Sequence, residues 1–496
     1  MTKPITKECV IGIEPKHITY VKDKYGAKHD LLVVKEKFHL NDRDEKPTRI
    51  RMYHDYQRPF YITKPGYRKH QQKRDAELLE HLNRYQSTDV MLPENISKAL
   101  GMRNAFGSLR MICRSPYVYG ADVTASCDLK HRYQERFPDL VTFNAVAATD
   151  IENNMLDGSE DIILQSLTLK EQGVVFFLRS WIGDTTNLQE RFEQCADMHI
   201  GEHLRARNMR PKVIVCDTPA EIVMEAAKLM HKWSPDFVTA WNYDHEIKHF
   251  ERTLNDAGID PAEVFSDPKV PENFRVFNYV PGQAVKESQS GKRTSKDPAD
   301  RWGWVTHPAS FQFMDSMTVY RALRLAGGKE PSYTLEAILQ KELKIGKLRF
   351  KEAEKYSGLR WHEMMQQHWK LEYAVYNLFD SLSLELLDDY TKDLAMRVTT
   401  TSGPSDYKNL NSNPKRLCDA FHFWYLAKPE GKKVIAASSD QQFQEIDKYV
   451  VSPDGFIITL PSHFMAPEGL RCIKGAPDLT TLVYTHVADQ LGLACK

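Results

Sequence analysis

The sequence has no surplus of either charge, with 67 Lys and Arg against 67 Asp and Glu. A global field able to gather nucleic acid is therefore absent, and any basic face must be local. No apolar run approaches the ~20 residues that cross a bilayer, so no membrane partner is expected. The opening MTKPITKECVIGIEPKH lacks the charged-then-apolar order of a secretory leader. None of the eight cysteines is spaced C-x-x-C. That argues against a zinc site and a disulfide framework, and fits a reducing cytoplasm. No internal repeat or low-complexity tract interrupts the chain. What remains is ordinary globular composition, 42% hydrophobic and 27% charged, in 496 residues. That length allows about two to four domains, each with its own core.

Residues 1 to about 140 mix β-rich runs (Ile18–Val21, Asp30–Val34) with a predicted helix from Arg74 to Tyr85. They also carry the basic, aromatic-interleaved segment RIRMYHDYQRPFYITKPGYRKHQQKR. Such a segment fits a nucleic-acid surface, where bases stack on rings and phosphates meet Lys and Arg, and equally a solvated charged face. From about 141 the pattern alternates. Strands are predicted at Leu140–Ala148, Ile162–Leu169, Gly173–Leu178, Lys212–Cys216 and Asp236–Trp241. A helix is predicted over Ala220–Lys232, opened by Thr218 or Pro219. A longer helical region spans 363–397, with Val375, Leu378, Phe379, Leu382 and Leu386 on one face. The expected fold class is α/β, a mixed sheet flanked by helices.

Three acidic stretches stand out. Asp150 and Glu152, in AATDIENN, are two apart at a predicted strand end and share a face. Paired carboxylates suit a hard divalent cation. In FVTAWNYDHEIKHFERTL, a predicted strand ends at Trp241-Asn242, the acids Asp244 and Glu246 follow, and Ile247, Phe250 and Leu254 mark a helix face. In LEYAVYNLFDSLSLELLDDY, Tyr376 and Asp380 are four apart on one helix face, a phenol beside a carboxylate.

DIE, WNYDHEI and YNLFD, in that order, resemble the three exonuclease motifs of the family B DNA polymerases, the bacteriophage branch in particular. PSYTLEAILQKELKIGKLRF (331–350) is similar to the segment before the third motif, and FMDSMTVY (313–320) resembles the family's D-x-M-x-x-Y strand. The resemblance implies a mixed α/β N-terminal domain (1–135), a ribonuclease-H-like 3′–5′ exonuclease domain (136–395), and a connection to, and start of, the palm (396–496). It implies two Mg2+ ions, replaceable by Mn2+, held by Asp150, Glu152 and Asp380. Tyr376 would position the attacking water, and Asn242 would hold the second motif near the DNA strand. The second motif departs from the family pattern. His245 stands where the aromatic is usual, Glu246 where the aspartate is usual, and Lys248 where proline is frequent. Glu246 is taken as the catalytic carboxylate, with Asp244, two residues early, as the alternative donor. GQAVKESQSGKRTSKDPADRWGW (282–304), with Lys292 and Arg293, corresponds to a DNA-contacting hairpin or to a plain surface loop.

The synthetic motifs of the family, D-x-x-[Ser/Ala]-x-Tyr-Pro, K-x-x-x-N-S-x-Y-G and Y-x-D-T-D, do not occur. The end, TTLVYTHVADQLGLACK, resembles only the run-up to the first of them, through THVAD. SDYKNLNSNPKRLCDAFHFWYLA, DKYVVS and GFIITLP resemble the exonuclease-to-palm connection. No nucleotidyl transfer is expected from this chain alone. The implied partners are DNA and a second chain with palm, fingers and thumb, in a phage-infected host cytoplasm. The alternative is a non-catalytic DNA-binding or assembly subunit.

Overall fold

The computed structural model describes residues 9–427 apart from 45, 69–75, 103–107, 114, 139 and 288–290, together with 434–436, 464–465 and 471–472. The DKYVVS, GFIITLP and THVAD segments lie outside the described residues. The chain divides into two compact units: Met1–Val141 with Arg324–Lys329 and Val398–Lys496, and Thr142–Leu323 with Glu330–Arg397. Among the described residues no helix is long and apolar enough to cross a membrane.

In the first unit, the strands Val10–Lys22, Asp30–Leu40 and Thr48–His54 form an antiparallel meander. Leu32 and Val34 on its inner face meet Ala125, Leu129 and Tyr133 of the helix Ala125–Arg136. Thr124 caps that helix by accepting a bond from the Cys127 N–H. A second sheet places Arg58–Thr63 between Leu82–Ser87 and Val118–Tyr119. The helix predicted from Arg74 to Tyr85 does not form among the described residues. Ala76–Leu78 is a strand, Leu79–His81 a single 3-10 turn and Leu82–Ser87 a strand. Leu78, Leu79 and Leu82 imitate helical spacing, but pairing of Ala76–Leu78 with Val434–Ala436 and of Leu82–Ser87 with Arg58–Thr63 fixes both ends of the segment as β. The basic segment partly serves its own unit. Arg49 and Arg51 bond Glu36 at 2.7 and 3.4 Å. Arg58, buried, reaches Asp89 and the carbonyls of Gly120 and Ala121.

The second unit is a mixed α/β layer structure. Its elements are β1 (Val146–Asn153), β2 (Ile162–Leu169), β3 (Gln172–Leu178), α1 (Leu188–Ala206), β4 (Lys212–Cys216), α2 (Pro219–Trp233), β5 (Phe237–Ala240), α3 (Asp244–Asp256), β6 (Gln312–Asp315), α4 (Ser316–Leu323), α5 (Leu335–Glu342), α6 (Leu359–His368) and α7 (Lys370–Thr391). The sheet order is β4-β3-β2-β1-β5-β6. β2 runs antiparallel to both neighbours, and all other neighbouring pairs are parallel. Every residue of β2 is buried, as a strand covered on both faces requires. Phe176, Phe177, Phe192, Ile222, Leu378 and Leu382 belong to one apolar core spanning sheet and helices.

Three expected elements are shifted. The strand predicted at Leu140–Ala148 begins at Val146 and runs through the DIE triplet. Before it, Asn144 is tied to Ala395 and Leu394, and the Ala145 N–H to Asp236, so these backbone groups are held outside the ladder. The FMDSMTVY strand stops at Asp315, whose carboxylate accepts the Met317 N–H at 3.0 Å and starts α4. The helical region 363–397 is broken at Trp369 (φ −130°, ψ 57°), between α6 and α7.

α7 is fixed on the sheet by small polar groups as well as by leucines. The Ser166 hydroxyl, on β2, lies 2.9 Å from the Asn377 carbonyl and 2.8 Å from the Ser381 hydroxyl. All three residues are fully buried, so each bond stands in a setting where a missing partner would be costly.

Candidate active site

Along β1, Thr149, Ile151 and Asn153 are buried, while Asp150 and Glu152 face the other side and keep an opening to solvent. α7 crosses that side and presents Tyr373, Tyr376, Asn377 and Asp380, three or four residues apart and therefore on one stripe. Each β1 carboxylate has a partner on that stripe. The Asn377 amide donates to Asp150 Oδ2 at 2.7 Å, and the Tyr373 hydroxyl donates to Glu152. His362 Nδ1 lies 2.8 Å from the Tyr373 hydroxyl and 3.7 Å from Glu152.

The second acidic stretch approaches from the end of β5. Asn242 takes a left-handed conformation (φ 66°), which asparagine tolerates better than most residues. Its N–H donates to Asp315 at 3.0 Å, joining the end of β5 to the end of β6. The turn sends Glu246, in the first turn of α3, inward. It is 4% exposed, and its Oε2 is buried without a hydrogen-bond partner. Asp244 is engaged elsewhere, by the Tyr279 hydroxyl and, at 2.6 Å, by Lys248. His245 lies beside Asn153 at 3.4 Å and against the His249 ring.

One cation enters this acidic cluster. Lys347, from the segment between α5 and α6, places Nζ 2.5 Å from Asp380 Oδ2 and 2.8 Å from the Tyr376 hydroxyl. Asp380 Oδ1 remains buried and unpartnered. Burial raises the proton affinity of all four carboxylates. For Asp150 the charges of Asp380, Glu152 and Glu246 add to burial, and Lys347 opposes them. Glu152 is pushed up to about 8 by burial, with the Tyr373 hydroxyl pulling the other way. Glu246 and Asp380 are also raised by burial, the latter opposed by Lys347. Burial works against the Lys347 ammonium too, but Asp380 and Asp150 outweigh it and raise its proton affinity. Were every group ionised, one ammonium would face four carboxylates, an excess of about three negative charges that a buried site sustains only with added cations or protons.

The donor chemistry fits hard divalent ions, which take oxygen ligands. Asp150, Glu152, Glu246 and Asp380 supply carboxylates, and Glu246 Oε2 and Asp380 Oδ1 are orphaned oxygens of the kind an ion would satisfy. The carboxylates are not drawn into a closed ligand set. Among the described residues, three potential ligand atoms come within 4.8 Å of one another only at Cys195, His199 and Glu372. Lys347 and the site carboxylates would therefore have to rearrange around an ion.

The structure brings Asp150, Glu152, Glu246, Tyr376 and Asp380 into one electrostatic cluster. Asn242 braces the approach to it. Lys292 and Arg293 lie elsewhere, exposed, in and beside the short ribbon Val285–Glu287/Arg293–Ser295, where Arg293 pairs with Glu287 at 3.3 Å. Sequence reading missed Lys347, Tyr373, Asn377, His362 and Asp315. Tyr373 and Asn377 had a signal, since they continue the stripe of Tyr376 and Asp380. Lys347 lies in the 331–350 segment already singled out, but nothing in that segment marks it off from its neighbouring lysines. In comparisons with known proteins, no family model and no curated protein matches the chain.

Proposed function

We propose that the second unit is a ribonuclease-H-like 3′–5′ exodeoxyribonuclease, the proofreading part of a family B DNA polymerase of the bacteriophage type. Nucleotidyl transfer would come from a second chain carrying palm, fingers and thumb. The observation that carries the reading is the gathering of Asp150, Glu152 and Asp380 around a single ammonium, with the buried Glu246 acting on the same carboxylates and one oxygen each of Glu246 and Asp380 unpartnered. The mixed sheet with one reversed strand, and carboxylates on a central strand and on the helix across it, supports the same fold assignment.

Asp150, Glu152 and Asp380 would hold two Mg2+ ions, or Mn2+ in their place, with Glu246 completing the set. Bound there, such ions would activate a water and steady the leaving oxygen of a phosphodiester. The Tyr376 hydroxyl, which accepts a bond from Lys347, would orient the water. A new bond from the water oxygen to phosphorus replaces the bond to the 3′ oxygen, which takes a proton and leaves as a shortened strand. Tyr373 and Asn377 are positioning residues, each holding one β1 carboxylate.

The test is release of mononucleotides from a 3′-labelled single strand in Mg2+. Cleavage that disappears without metal and falls by about a thousandfold in Asp150→Ala and Asp380→Ala supports the assignment, a loss of about 4 kcal/mol of transition-state stabilisation. A second reading, a non-catalytic DNA-binding or assembly subunit, is favoured by one observation: Lys347 already occupies an oxygen of Asp380. DNA binding without cleavage by the folded chain would select it.

A further inference from the structure

A second group of metal-competent side chains lies apart from the carboxylate cluster. Cys195 and His199 are four residues apart on α1, one turn from each other on the same face. The regular dihedrals of α1 break at Ile200 (φ −132°, ψ 16°), immediately after His199, so both residues belong to its first straight segment. Glu372 comes from the first turn of α7, the helix that packs on α1. The thiol, imidazole and carboxylate ligand atoms all lie within 4.8 Å of one another, and each residue is half-buried. No side-chain hydrogen bond or ion pair to another described residue competes for them. The His199 ring stands edge-on to Phe350, with centroids 5.0 Å apart, which restrains its orientation.

We infer that Cys195, His199 and Glu372 form a Zn2+ site with three protein ligands and a fourth position open to water. The inference is independent of the nuclease reading. Thiolate, imidazole and carboxylate together select a borderline-soft ion of tetrahedral preference over Mg2+, which avoids sulfur. Zinc–ligand bonds of about 2.0–2.3 Å put neighbouring ligand atoms about 3.3–3.7 Å apart, so closing the site needs a movement on the order of 1 Å. Rotation about the side-chain bonds of Cys195 and Glu372 can supply that movement. Binding releases the thiol proton to solvent. The ion would tie α1 to the first turn of α7, one turn ahead of Tyr376 and two ahead of Asp380. The lack of a C-x-x-C pair does not exclude such a site, because its ligands come from two helices distant in sequence.

The experiment is a titration of the metal-free, reduced full chain with Co2+, followed by displacement with Zn2+. The expected result, with excess Mg2+ present to occupy the carboxylate cluster, is a thiolate-to-metal charge-transfer band that saturates at one equivalent of Co2+ with the visible absorption of a tetrahedral ion, both abolished by Zn2+. Cys195→Ser should remove the charge-transfer band. His199→Gln and Glu372→Gln should each weaken binding about tenfold or more, whereas Asp150→Ala should leave the charge-transfer band unchanged. Circular dichroism of the metal-free variants separates ligand loss from misfolding, and His199→Gln tests the site without touching the thiol. No charge-transfer band in the wild-type chain, or a band that survives Cys195→Ser, would overturn the assignment. So would unaltered affinity in Glu372→Gln.

Discussion

Lys347 and Asp380 form the one ion pair inside the carboxylate cluster among the described residues, with Nζ 2.5 Å from Oδ2. They are 33 residues apart, one on a loop and one in the middle of α7. The pair gives the metal-free site its internal counter-charge, and the Tyr376 hydroxyl shares the same ammonium.

Replacing Lys347 by Met should therefore destabilise the metal-free protein, and more so as the pH rises. Lys347 opposes the burial that raises Asp380, so its loss raises Asp380 further. At low pH a protonated Asp380 tolerates the change. Toward neutral pH the cost should reach about 2 kcal/mol, below the 3–5 kcal/mol of fully enclosed pairs because the lysine keeps some solvent contact. Chemical denaturation at two pH values checks it, and a loss independent of pH would refute the account.

The carboxylates should make the metal-free fold less stable in alkali. Glu152 is raised to about 8, and Asp150, Glu246 and Asp380 are raised too. An acid whose folded value lies above its unfolded one, near 4 for these side chains, binds more protons in the folded state. The stability it confers is complete at low pH and is lost between about 4 and the raised value. The melting temperature without metal should fall across that range, and Mg2+ or Mn2+ should restore it most at the alkaline end. A metal effect equal at pH 5 and pH 8 would count against binding at these groups.

Glu246 and Asp244 should separate cleanly. Glu246→Gln removes a buried acid whose ionisation burial opposes, so it should raise stability at pH 8 while lowering cleavage by about a hundredfold, the opposition of stability and activity expected of a functional buried group. Asp244→Asn loses an exposed pair with Lys248 and should change stability by well under about 1 kcal/mol. Cleavage by Asp244→Asn close to wild type, beside a defective Glu246→Gln, is the expected outcome. The reverse would move the catalytic role to Asp244.

Tyr373→Phe should shift the pH profile of cleavage. The hydroxyl holds Glu152 below the value burial alone would give. Without it Glu152 deprotonates at higher pH, so the acid limb of the activity profile should move to higher pH with little change at its plateau. An unchanged limb would show that Glu152 does not control activity.

Much of the second unit was legible. Ile162–Leu169 and Lys212–Cys216 are strands with the predicted ends, because short runs of β-branched and apolar residues between turn signals leave few alternatives. The i, i+2 pair on β1 and the i, i+4 pair on α7 follow from periodicity alone, and both face the cluster. Illegible were features decided by distant partners. The strand at Leu82–Ser87 depends on Arg58–Thr63, and Lys347 is invisible until the loop closes over α7. The inward turn of Glu246 depends on the backbone of Asn242, and Cys195 has no sequence neighbour that hints at Glu372.

The Ser166 contacts have a consequence for how finely α7 can be placed. Leucines on a helix face tolerate sliding, since apolar contact is nearly indifferent to small shifts along the axis. Hydroxyls do not: a slip of one residue, about 1.5 Å, would strand Ser166, Ser381 and the Asn377 carbonyl together. The helix is thus indexed against the sheet like a ratchet tooth, and the spacing between the β1 acids and Asp380 is set by a lock about one helical turn long, from Asn377 to Ser381. Catalytic distance in this unit is a property of its interior, decided where no substrate can reach.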